Sequence, residues 1–505
     1  MATNSSIINL FIFIFISFTI RAQELKRDNI WMLAGEFPDH NCGINFNSGF
    51  ADTFQVNRDM LFFFTNASIC DTNGQLLFYT NGNLVCNRFH NYMNNTGGFN
   101  PGYHNFQTAP YGQGIYQGAL ILPKPDHPDL YVIFHESADT FVAYNDFFER
   151  PLNLSYSVVD MTQNGGGGAI TSEKNVHIID DTLVPGKLMA CKHANGRDWW
   201  IVAHKLFTNE YYKILLTPDT IVRYSMQSIG SFPQFYDALG ASIFSQDGSM
   251  YVNLSYDTVV DILDFDRCTG DFSNIVSFGI PDSNLATLGC ALSASGRYLY
   301  VSTDYHIFQY DTWAANIETT KSVVSTWDGT SNSHGFRTSF FFMRLAPDNK
   351  IYISTGEGTN ELHVIDYPDS AGVSCNVRQH GLFLPSYNAF SMPNAVNYSL
   401  SGVPGSACDT VYYLGDPIQG VNAYQLFIFP NPASDEVRIL FSSKENEKVI
   451  YEVSDLLGRI VTKGETQSKS GFMPVDVSAL PIGVYFLRVN INSSNVLSFK
   501  FTINR

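Results

Sequence analysis

One sequence motif recurs along the middle of the chain and limits the possible folds more than any other feature. A turn rich in Gly, Asn or Asp is followed each time by a short strand of aliphatic and aromatic residues. The turn residues Gly196, Gly248 and Gly296 are 52 and 48 residues apart, and Asn349 follows 53 residues later. An earlier copy at Gly74 stands 122 residues before Gly196, which is about two steps with an insertion. The middle of the chain is therefore a repeat of one structural unit.

A period of about 50 residues, built from strands and turns, is typical of a β-propeller. We predict an all-β protein in which residues 24–400 form a propeller of about seven blades, with six or eight as alternatives. We interpret each turn as a two-residue hairpin that requires a positive φ, which Gly and Asn tolerate. Because a ring must hide its open edges, we expect Ile30–Ala34 and Ser391–Tyr398, which flank the repeat, in one blade or in adjoining blades.

Three of the turns carry a family resemblance. The segments Phe244–Gly248, Leu292–Gly296 and Leu345–Asn349 resemble the Phe-Ser-Pro-Asp-Gly repeat of YVTN/WD40-like propellers. The Pro-Asp pair of that repeat is present only at Pro347 and Asp348. The resemblance supports the propeller fold and implies no particular activity.

Residues 427–505 lack the repeat and predict a second, small β domain. Phe499, Phe501 and Ile503 alternate with polar residues, as in a strand with one buried face. The Pro-Asn-Pro run at 430–432 interrupts the chain at the start of this module. A small Ig-like antiparallel β-sandwich accounts for this pattern.

The same segment resembles the type A C-terminal sorting domain of the type IX secretion system. That family has an aromatic-Pro-Asn-Pro opening, a Gly-Arg turn, a Leu-x-x-Gly-x-Tyr strand pair and a short final strand. The opening aromatic here is Phe rather than the usual Tyr, and the tail is less rich in Lys than is common in the family. The resemblance implies an address that the outer-membrane translocon reads and usually removes, whereas an ordinary Ig-like adhesion module is the alternative. The residues at the motif positions are Phe429, Pro430, Asn431, Pro432, Gly458, Arg459, Leu480, Gly483, Tyr485, Lys500 and Arg505.

The beginning of the chain predicts export across the inner membrane. An apolar run from Ile7 to Ile20 is too short to span a bilayer comfortably and ends near Ala22, a small residue that suits a cleavage site. We predict a signal peptide at residues 1–22 and a Pro- and Gly-containing linker at 401–426. No other segment is apolar enough to cross a membrane, so we expect no transmembrane segment in the mature chain and a location at the cell surface or outside the cell.

The charge of the chain argues against nucleic acid and anionic membrane surfaces as partners. The formal net charge is −17, and it is concentrated between Glu24 and Leu426, where 39 Asp and Glu residues outnumber 20 Lys and Arg residues. A surface of this sign repels phosphate groups. The translocon is the partner that the tail implies.

Eight cysteines are sparse for 505 residues, so the core need not depend on disulfides. Buried thiols and disulfides both remain open, because sequence alone does not select pairs. Cys70 and Cys86 are close along the chain, but in a three-stranded meander they lie on strands about 10 Å apart, beyond disulfide reach. No pair has the Cys-x-x-Cys spacing of a zinc or redox site.

The sequence predicts no catalytic residue, no metal site and no cofactor. Asp71-x-Asn73-Gly74 could be mistaken for the start of a calcium loop, but the twelfth position is Gly82 rather than Glu. No Gly-x-Ser-x-Gly nucleophile elbow occurs. Seven of the twelve histidines are spread at about one per blade without paired metal-ligand spacing, and we interpret them as structural. They are His135, His193, His204, His306, His334, His363 and His380.

An export signal, a propeller and no catalytic motif together favour a binding or scaffold protein with a polysaccharide or protein ligand. The ligand face is predicted in the insertion Gly97–Gln117, which is rich in Gly, Asn and Tyr and has no acidic residue. Its candidate residues are Tyr103, Tyr111 and Tyr116. One alternative is a propeller enzyme of the lyase, lactonase or glycosidase type, which requires acid and base residues converging on one channel mouth. Another is a structural element of a surface layer.

Overall fold

The computed structural model describes most of the chain between Leu25 and Ile503. The predicted signal peptide at 1–22 lies outside the described residues. Among those residues, no helix is both long and apolar enough to cross a membrane. The described residues are 25–35, 41–143, 146–232, 240–256, 258–280, 287–403, 405–406, 408, 426–429, 433–441, 448–456, 458–467, 471–491 and 495–503.

The described residues between Ile30 and Asn388 form seven antiparallel sheets of three to five strands in chain order, which are the seven blades of a propeller, and one separate two-stranded hairpin. The predicted fold class and the count of about seven blades are confirmed. Blade 1 consists of β1 (Ile30–Ala34), β2 (Asn41–Asn45) and β3 (Asp52–Gln55), and blade 2 consists of β4 (Ala67–Cys70), β5 (Leu76–Thr80) and β6 (Val85–Asn87). Blade 3 consists of β7 (Ala119–Pro123), β8 (Leu130–Glu136), β11 (Leu154–Asp160), β12 (Ala169–Ile170) and β13 (Val176–Ile179).

Blades 4 to 7 each have four strands in sequence order. Blade 4 has β14 (Met189–Lys192), β15 (Trp199–His204), β16 (Glu210–Leu216) and β17 (Ile221–Ser228), and blade 5 has β18 (Gly240–Phe244), β19 (Met250–Ser255), β20 (Val259–Phe265) and β21 (Phe272–Gly279). Blade 6 has β22 (Thr287–Leu292), β23 (Tyr298–Thr303), β24 (His306–Asp311) and β25 (Ser322–Thr326), and blade 7 has β26 (Phe340–Leu345), β27 (Ile351–Thr355), β28 (Thr359–Ile365) and β29 (Val377–Asn388).

The first strands of neighbouring blades pack on one another, as β18, β22 and β26 do, so they line the central channel. The ring has two faces. We call the turn face the one that carries the turns after the first strands of blades 2 and 4 to 7, and the loop face the opposite one. The positive-φ residues that mark the turn face are Gly74 (84°), Gly196 (74°), Gly248 (73°), Gly296 (75°) and Asn349 (61°).

These turns are longer than the two-residue hairpins that the sequence predicted. In blade 5, the Ser245 N–H donates to the Met250 carbonyl, and the Gly248 N–H donates to the Ser245 carbonyl. The connection therefore has four residues, a β-turn without positive φ at its centre followed by one left-handed glycine. The prediction of positive φ was correct and the hairpin type was wrong, because a single left-handed residue is sufficient to return the chain into the strand.

The loop face carries two insertions. One lies between β6 and β7 and contains the short helix α1 (Tyr103–Gln107), and the other is the hairpin of β9 (Asp139–Ala143) and β10 (Asp146–Arg150). They contact each other, because the Tyr103 N–H donates to Asp139 Oδ1 at 2.8 Å. Single-turn 3₁₀ helices occur at Asn164–Gly166, Glu318–Thr320 and Gly372–Cys375.

Blade 1 is completed by the chain that follows the last blade. β1 runs antiparallel to β4, since the Cys70 N–H donates to the Arg27 carbonyl while Asn66 Nδ2 donates to the Met32 carbonyl. Residues 389–402, here called the channel segment, run along β1 in the opposite direction. The Ala389 N–H donates to the Ala34 carbonyl at one end. The expectation that the two flanking segments lie together is confirmed.

Residues 426–503 form a sandwich of two sheets with their own hydrophobic core. Val453, Leu487 and Phe501 are among its fully buried side chains. The alternation predicted at the C-terminal strand is observed for Phe501 and Ile503, which are buried while Lys500 is exposed. One sheet has the strand order β30 (Leu426–Phe429), β31 (Glu436–Phe441), β34 (Gly471–Asp476). The other sheet has the strand order β33 (Ile460–Gln467), β32 (Lys448–Ser454), β35 (Gly483–Ile491), β36 (Asn495–Ile503).

The predicted linker at 401–426 begins in contact with the propeller. The Val403 N–H donates to the Ala194 carbonyl at 2.8 Å. A disulfide joins Cys408 to Cys268 in blade 5, with a Cα–Cα distance of 5.5 Å. Cys70 and Cys86 lie on the two outer strands of the three-stranded blade 2 and are free, as predicted.

Candidate functional site

The channel segment passes down the middle of the ring and bonds to the blades around it. Asn394 Nδ2 donates to the carbonyls of Ala119 and Leu188, each at 3.0 Å. Gln117 Nε2 in turn donates to Asn394 Oδ1 at 3.3 Å. One buried amide therefore ties the segment to blades 3 and 4 near the loop face.

The same pattern continues toward the turn face. The Tyr398 hydroxyl donates to the Ile121 carbonyl at 2.8 Å, and Lys192 Nζ donates to the Tyr398 carbonyl at 3.2 Å. Asn397 Nδ2 donates to the Gln246 carbonyl at 2.7 Å. These bonds satisfy polar backbone groups of an irregular segment that is buried inside a protein. The channel, which is the usual ligand site of many ring-shaped folds, is largely filled by the chain itself.

Aromatic rings close the end of the channel at the loop face. Phe390 stacks on Phe64 with centroids 5.2 Å apart and contacts Phe63 and Phe341 edge-on or tilted at 5.6 and 5.5 Å. The resulting contacts remove apolar ring surface from water, which stabilises a closed mouth.

Tyr116 belongs to this buried channel lining. Its ring stacks on Phe342 with centroids 3.6 Å apart, and only 4% of the residue is exposed. The prediction that Tyr116 lies on an exposed ligand face was therefore wrong. The composition of the insertion did not reveal that its last residues turn inward to start β7.

The two other predicted tyrosines lie on the loop face and are open to solvent. Tyr103 is 60% exposed at the start of α1, and Tyr111 is 53% exposed in the turn that follows the helix. Between them, Phe106 is 88% exposed, although the sequence analysis did not select it. We call these three side chains the aromatic platform. Exposed aromatic side chains grouped along nine residues of one insertion are the kind of feature that marks interaction sites.

Buried amides hold the aromatic platform from below. Asn100 Nδ2 donates to the carbonyls of Gly82 and Glu136, both at 2.8 Å. Gln113 Nε2 donates to Asn105 Oδ1 at 3.0 Å and to the Glu136 carbonyl at 2.8 Å. All three amide side chains are at least 96% buried. Because these bonds fix both ends of the insertion, the rings are presented on a rigid base.

Glu136 itself is the least expected group near this base. Its side chain is fully buried, and neither carboxyl oxygen has a hydrogen-bond partner among the described residues. Burial raises the pKa of this carboxyl well above its usual range. The neighbouring His135 is also fully buried, and desolvation lowers its pKa to about 3. Burial therefore disfavours the charged form of both groups, and neither side chain is exposed as part of an acid–base pair.

The rim of blades 6 and 7 at the loop face carries a network of charged groups that the sequence analysis missed. His380 Nε2 lies 3.0 Å from Asp328 Oδ2, and its Nδ1 contacts Glu361. Arg337 Nε lies 2.7 Å from Glu357 Oε1. Each acid here is engaged by a base, so the network holds the 327–338 loop to blade 7.

The seven histidines do not converge on one site, although the rings of His363 and His380 lie with their centroids 5.3 Å apart. Burial lowers the pKa of His204 to about 3 and that of His363 to about 4. His363 Nε2 contacts the Thr338 carbonyl at 2.7 Å and His193 Nε2 contacts the Cys268 carbonyl at 3.0 Å. Within the part of the chain that is described, no group of three or more His, Cys, Asp or Glu residues is placed to hold a metal ion.

The described C-terminal motif residues lie in turns, in strands and in the core of the sandwich. Gly458 has a φ of 77° in the turn where Arg459 Nε donates to Asp455 Oδ2 at 2.7 Å. Tyr485 is 6% exposed, and its hydroxyl donates to the Pro481 carbonyl at 2.9 Å. Leu480 packs against the core, Gly483 begins β35, Lys500 is exposed, and Phe429 ends β30, whereas Pro430, Asn431, Pro432 and Arg505 lie outside the described residues.

A family comparison decides the role of this module. Residues 427–504 match the family described as "Secretion system C-terminal sorting domain". The sandwich is a type IX secretion sorting domain. This sorting domain indicates export by the type IX system to the cell surface or the extracellular space. Comparison with curated proteins gave no match for the chain.

Solved structures similar to the chain include several propellers. One is the periplasmic gluconolactonase PpgL of Pseudomonas aeruginosa, with 11% identity, coverage of 73% of this chain and 97% of that one, and a TM-score of 0.36. Another is the β-propeller domain of Myceliophteria thermophila Cps50 (Swd1), with 10% identity, coverage of 68% and 96%, and a TM-score of 0.35. A third is Kluyveromyces lactis Hsv2, with 10% identity, coverage of 67% and 90%, and a TM-score of 0.34.

Proposed function

We propose that the exported propeller is a carbohydrate-binding protein that holds a polysaccharide on its aromatic platform. One observation carries the proposal: Tyr103, Phe106 and Tyr111 are more than half exposed on an insertion that buried amides fix to the propeller. Large exposed rings on a rigid loop are uncommon unless they have a binding role.

The chemistry of the platform suits a sugar chain. Aromatic faces pack against the C–H groups of sugar rings, and the tyrosine hydroxyls add hydrogen bonds at the edge. The insertion Gly97–Gln117 has no acidic residue, so it presents neutral groups to neutral or acidic glycans. Because the loop is already ordered by Asn100, Asn105 and Gln113, binding loses little conformational entropy in the protein.

The filled channel supports binding over catalysis. An enzyme of the lyase, lactonase or glycosidase type needs an acid and a base that both reach the substrate at one mouth. At the loop face, Phe64, Phe341 and Phe390 occupy the end of the channel. The buried Glu136 lies under the insertion without access to a ligand on the surface. The platform therefore supports retention of a ligand without turnover.

The proposal is tested by screening the secreted protein against a panel of surface and extracellular polysaccharides. The Tyr103→Ala, Tyr111→Ala double variant should bind the selected glycan more weakly by about 5- to 150-fold, because two stacked rings are worth about 1–3 kcal/mol. Tyr367→Ala is the matched control, since Tyr367 is 62% exposed and lies away from the platform.

Three results would contradict the proposal. Equal affinity of the double variant and the parent would remove the platform from the binding site. Retention of a surface protein but no glycan would replace polysaccharide by protein as the ligand class. Turnover of a bound glycan that is lost on changing one channel Asp, Glu or His would favour the enzyme.

A further inference from the structure

A cavity remains beside the channel segment at the end of the channel opposite to the aromatic platform. Its volume is about 220 Å³, and it lies between the channel segment and the first strands of blades 4 to 7. The wall near the turn face includes Gln246 and Asn349, and the inner wall includes Gln117 and Arg344. Sites for drug-sized molecules span about 300–1,000 Å³, so this cavity fits a smaller ligand.

Arg344 gives the cavity its chemical character. One terminal nitrogen of the guanidinium donates to the Ala395 carbonyl of the channel segment. Nε is buried and has no hydrogen-bond partner among the described residues, where Arg344 also forms no ion pair. A guanidinium keeps its proton and presents donors in a planar fork. Arg344 itself lines the cavity and is half-buried rather than fully buried. A guanidinium that is reached from the cavity offers donors to an acceptor inside it.

The other charged groups of the wall limit which anion fits. Lys192 lines the cavity with its ammonium group 3.2 Å from the Tyr398 carbonyl, and Asp28 is the one carboxylate among the lining residues. Burial lowers the pKa of the Arg344 guanidinium, and the nearby Tyr116 and Asp28 oppose part of this shift. Two cations and one carboxylate leave a net charge of +1, which matches a monovalent anion better than a divalent phosphate.

The rest of the wall mixes apolar and polar side chains, and its exposed surface is more polar than apolar. Ile243, Leu292 and Val396 line the cavity together with the amides of Asn29 and Asn397. A ligand with one carboxylate and a compact body thus meets a guanidinium at one end and apolar and amide groups around the rest.

We propose that this cavity is a second binding site, for a small monocarboxylate whose carboxyl group is held by Arg344. It is separate from the aromatic platform, because it faces the turn face and shares no residue with Tyr103, Phe106 or Tyr111. Arg344 forms charge-assisted hydrogen bonds with the carboxylate. The channel segment forms one wall, so ligand binding also favours the closed ring.

The test is calorimetric titration of the secreted full-length protein with matched pairs of probes. Galacturonate is compared with galactose, and hexanoate with hexanol, so that each pair differs mainly in the carboxylate. At least one carboxylate should bind with one site and a Kd of about 1 mM or lower, and its neutral partner should not saturate. Binding of phosphate alone would overturn the proposal, as would the absence of saturable binding by both carboxylates.

Two variants locate the site. Arg344→Met should weaken the carboxylate by at least about 10-fold, since a charge-assisted bond is lost, whereas the exposed Arg88→Met should bind as the parent does. Arg344→Lys keeps the positive charge but loses the planar pair of donors, so its Kd for the carboxylate should lie between the values of the parent and of Arg344→Met. If Arg344→Met fails to fold, Arg344→Lys alone decides: an unchanged Kd in that variant refutes the fork, and a raised Kd supports it. Unchanged affinity in Arg344→Met would place the ligand elsewhere.

Discussion

Replacing Glu136 by Gln should change how the stability of the propeller depends on pH. The Glu136 side chain is fully buried at the end of β8, and both carboxyl oxygens lack a hydrogen-bond partner among the described residues. Burial disfavours the ionised carboxylate and raises the pKa of this group well above its usual range. The folded protein therefore keeps a proton at pH values where the unfolded chain has released it.

The sign and the size of the effect follow from this difference in proton binding. The stabilisation is fully present below the unfolded pKa, about 4.3, and it is lost as the pH rises from there to the folded pKa. Within that window the free energy of unfolding falls by about 1.4 kcal/mol per pH unit. With an unfolding entropy of about 2.1 cal/mol/K per residue, a domain of about 380 residues loses about 2 °C in Tm per pH unit through this carboxyl.

Scanning calorimetry from about pH 5 to about pH 7 on the parent and Glu136→Gln measures this slope. The Tm of the variant relative to the parent should rise by about 2 °C for each pH unit, because Gln does not titrate. Glu318→Gln, at an exposed position, should run parallel to the parent. Parallel curves for Glu136→Gln and the parent would show that the carboxyl is ionised in the folded protein, and the reasoning about its environment would then be wrong.

Two further predictions concern the channel segment and the cysteines. Asn394→Ala removes an amide that bonds two buried backbone carbonyls. It should therefore destabilise the propeller by about 2–4 kcal/mol and lower its Tm by about 3–5 °C, with the exposed Asn316→Ala as the control. An unchanged Tm would show that the Asn394 amide does not stabilise the channel segment in the ring. Peptide mapping should find one disulfide, Cys268–Cys408, and six thiols that resist alkylation until the protein unfolds, because burial raises the thiol pKa, to about 12 for Cys86. Rapid labelling of native Cys86 would contradict its placement.

The fold was predicted mainly from the repeat, because each blade of a propeller has a similar sequence pattern at a regular spacing. Each first-to-second strand turn needs one left-handed residue, and Gly196, Gly248 and Gly296 mark it with little ambiguity. The outermost strands were harder to foresee. β21 is exposed at six of its eight positions, so it lacks the apolar alternation on which sequence patterns depend.

The sites were less predictable than the fold because exposure is a tertiary property. Tyr103 and Tyr116 stand in the same Gly- and Asn-rich insertion, yet one is 60% exposed and the other 4% exposed against Phe342. Arg344 follows a run of phenylalanines in β26, and its place beside the channel segment depends on a contact with Ala395, 51 residues away. Local sequence does not encode such a contact.

Removal of the sorting domain is the most direct test of whether this protein is exported by type IX secretion. Residues 427–504 are recognised as a secretion sorting domain, and the propeller has its own closed core and a disulfide that precedes it. A chain that ends at residue 426 should therefore fold in the producing bacterium without reaching the surface. Circular dichroism and the disulfide of the purified truncated chain provide the control for folding.

The decisive measurement is the location of the truncated chain relative to the full-length chain, by cell fractionation and antibody labelling of intact cells. The account predicts the full-length protein at the surface or in the medium and the folded truncated chain in the periplasm. Equal surface labelling of both chains would contradict it, because export would then not depend on residues 427–505.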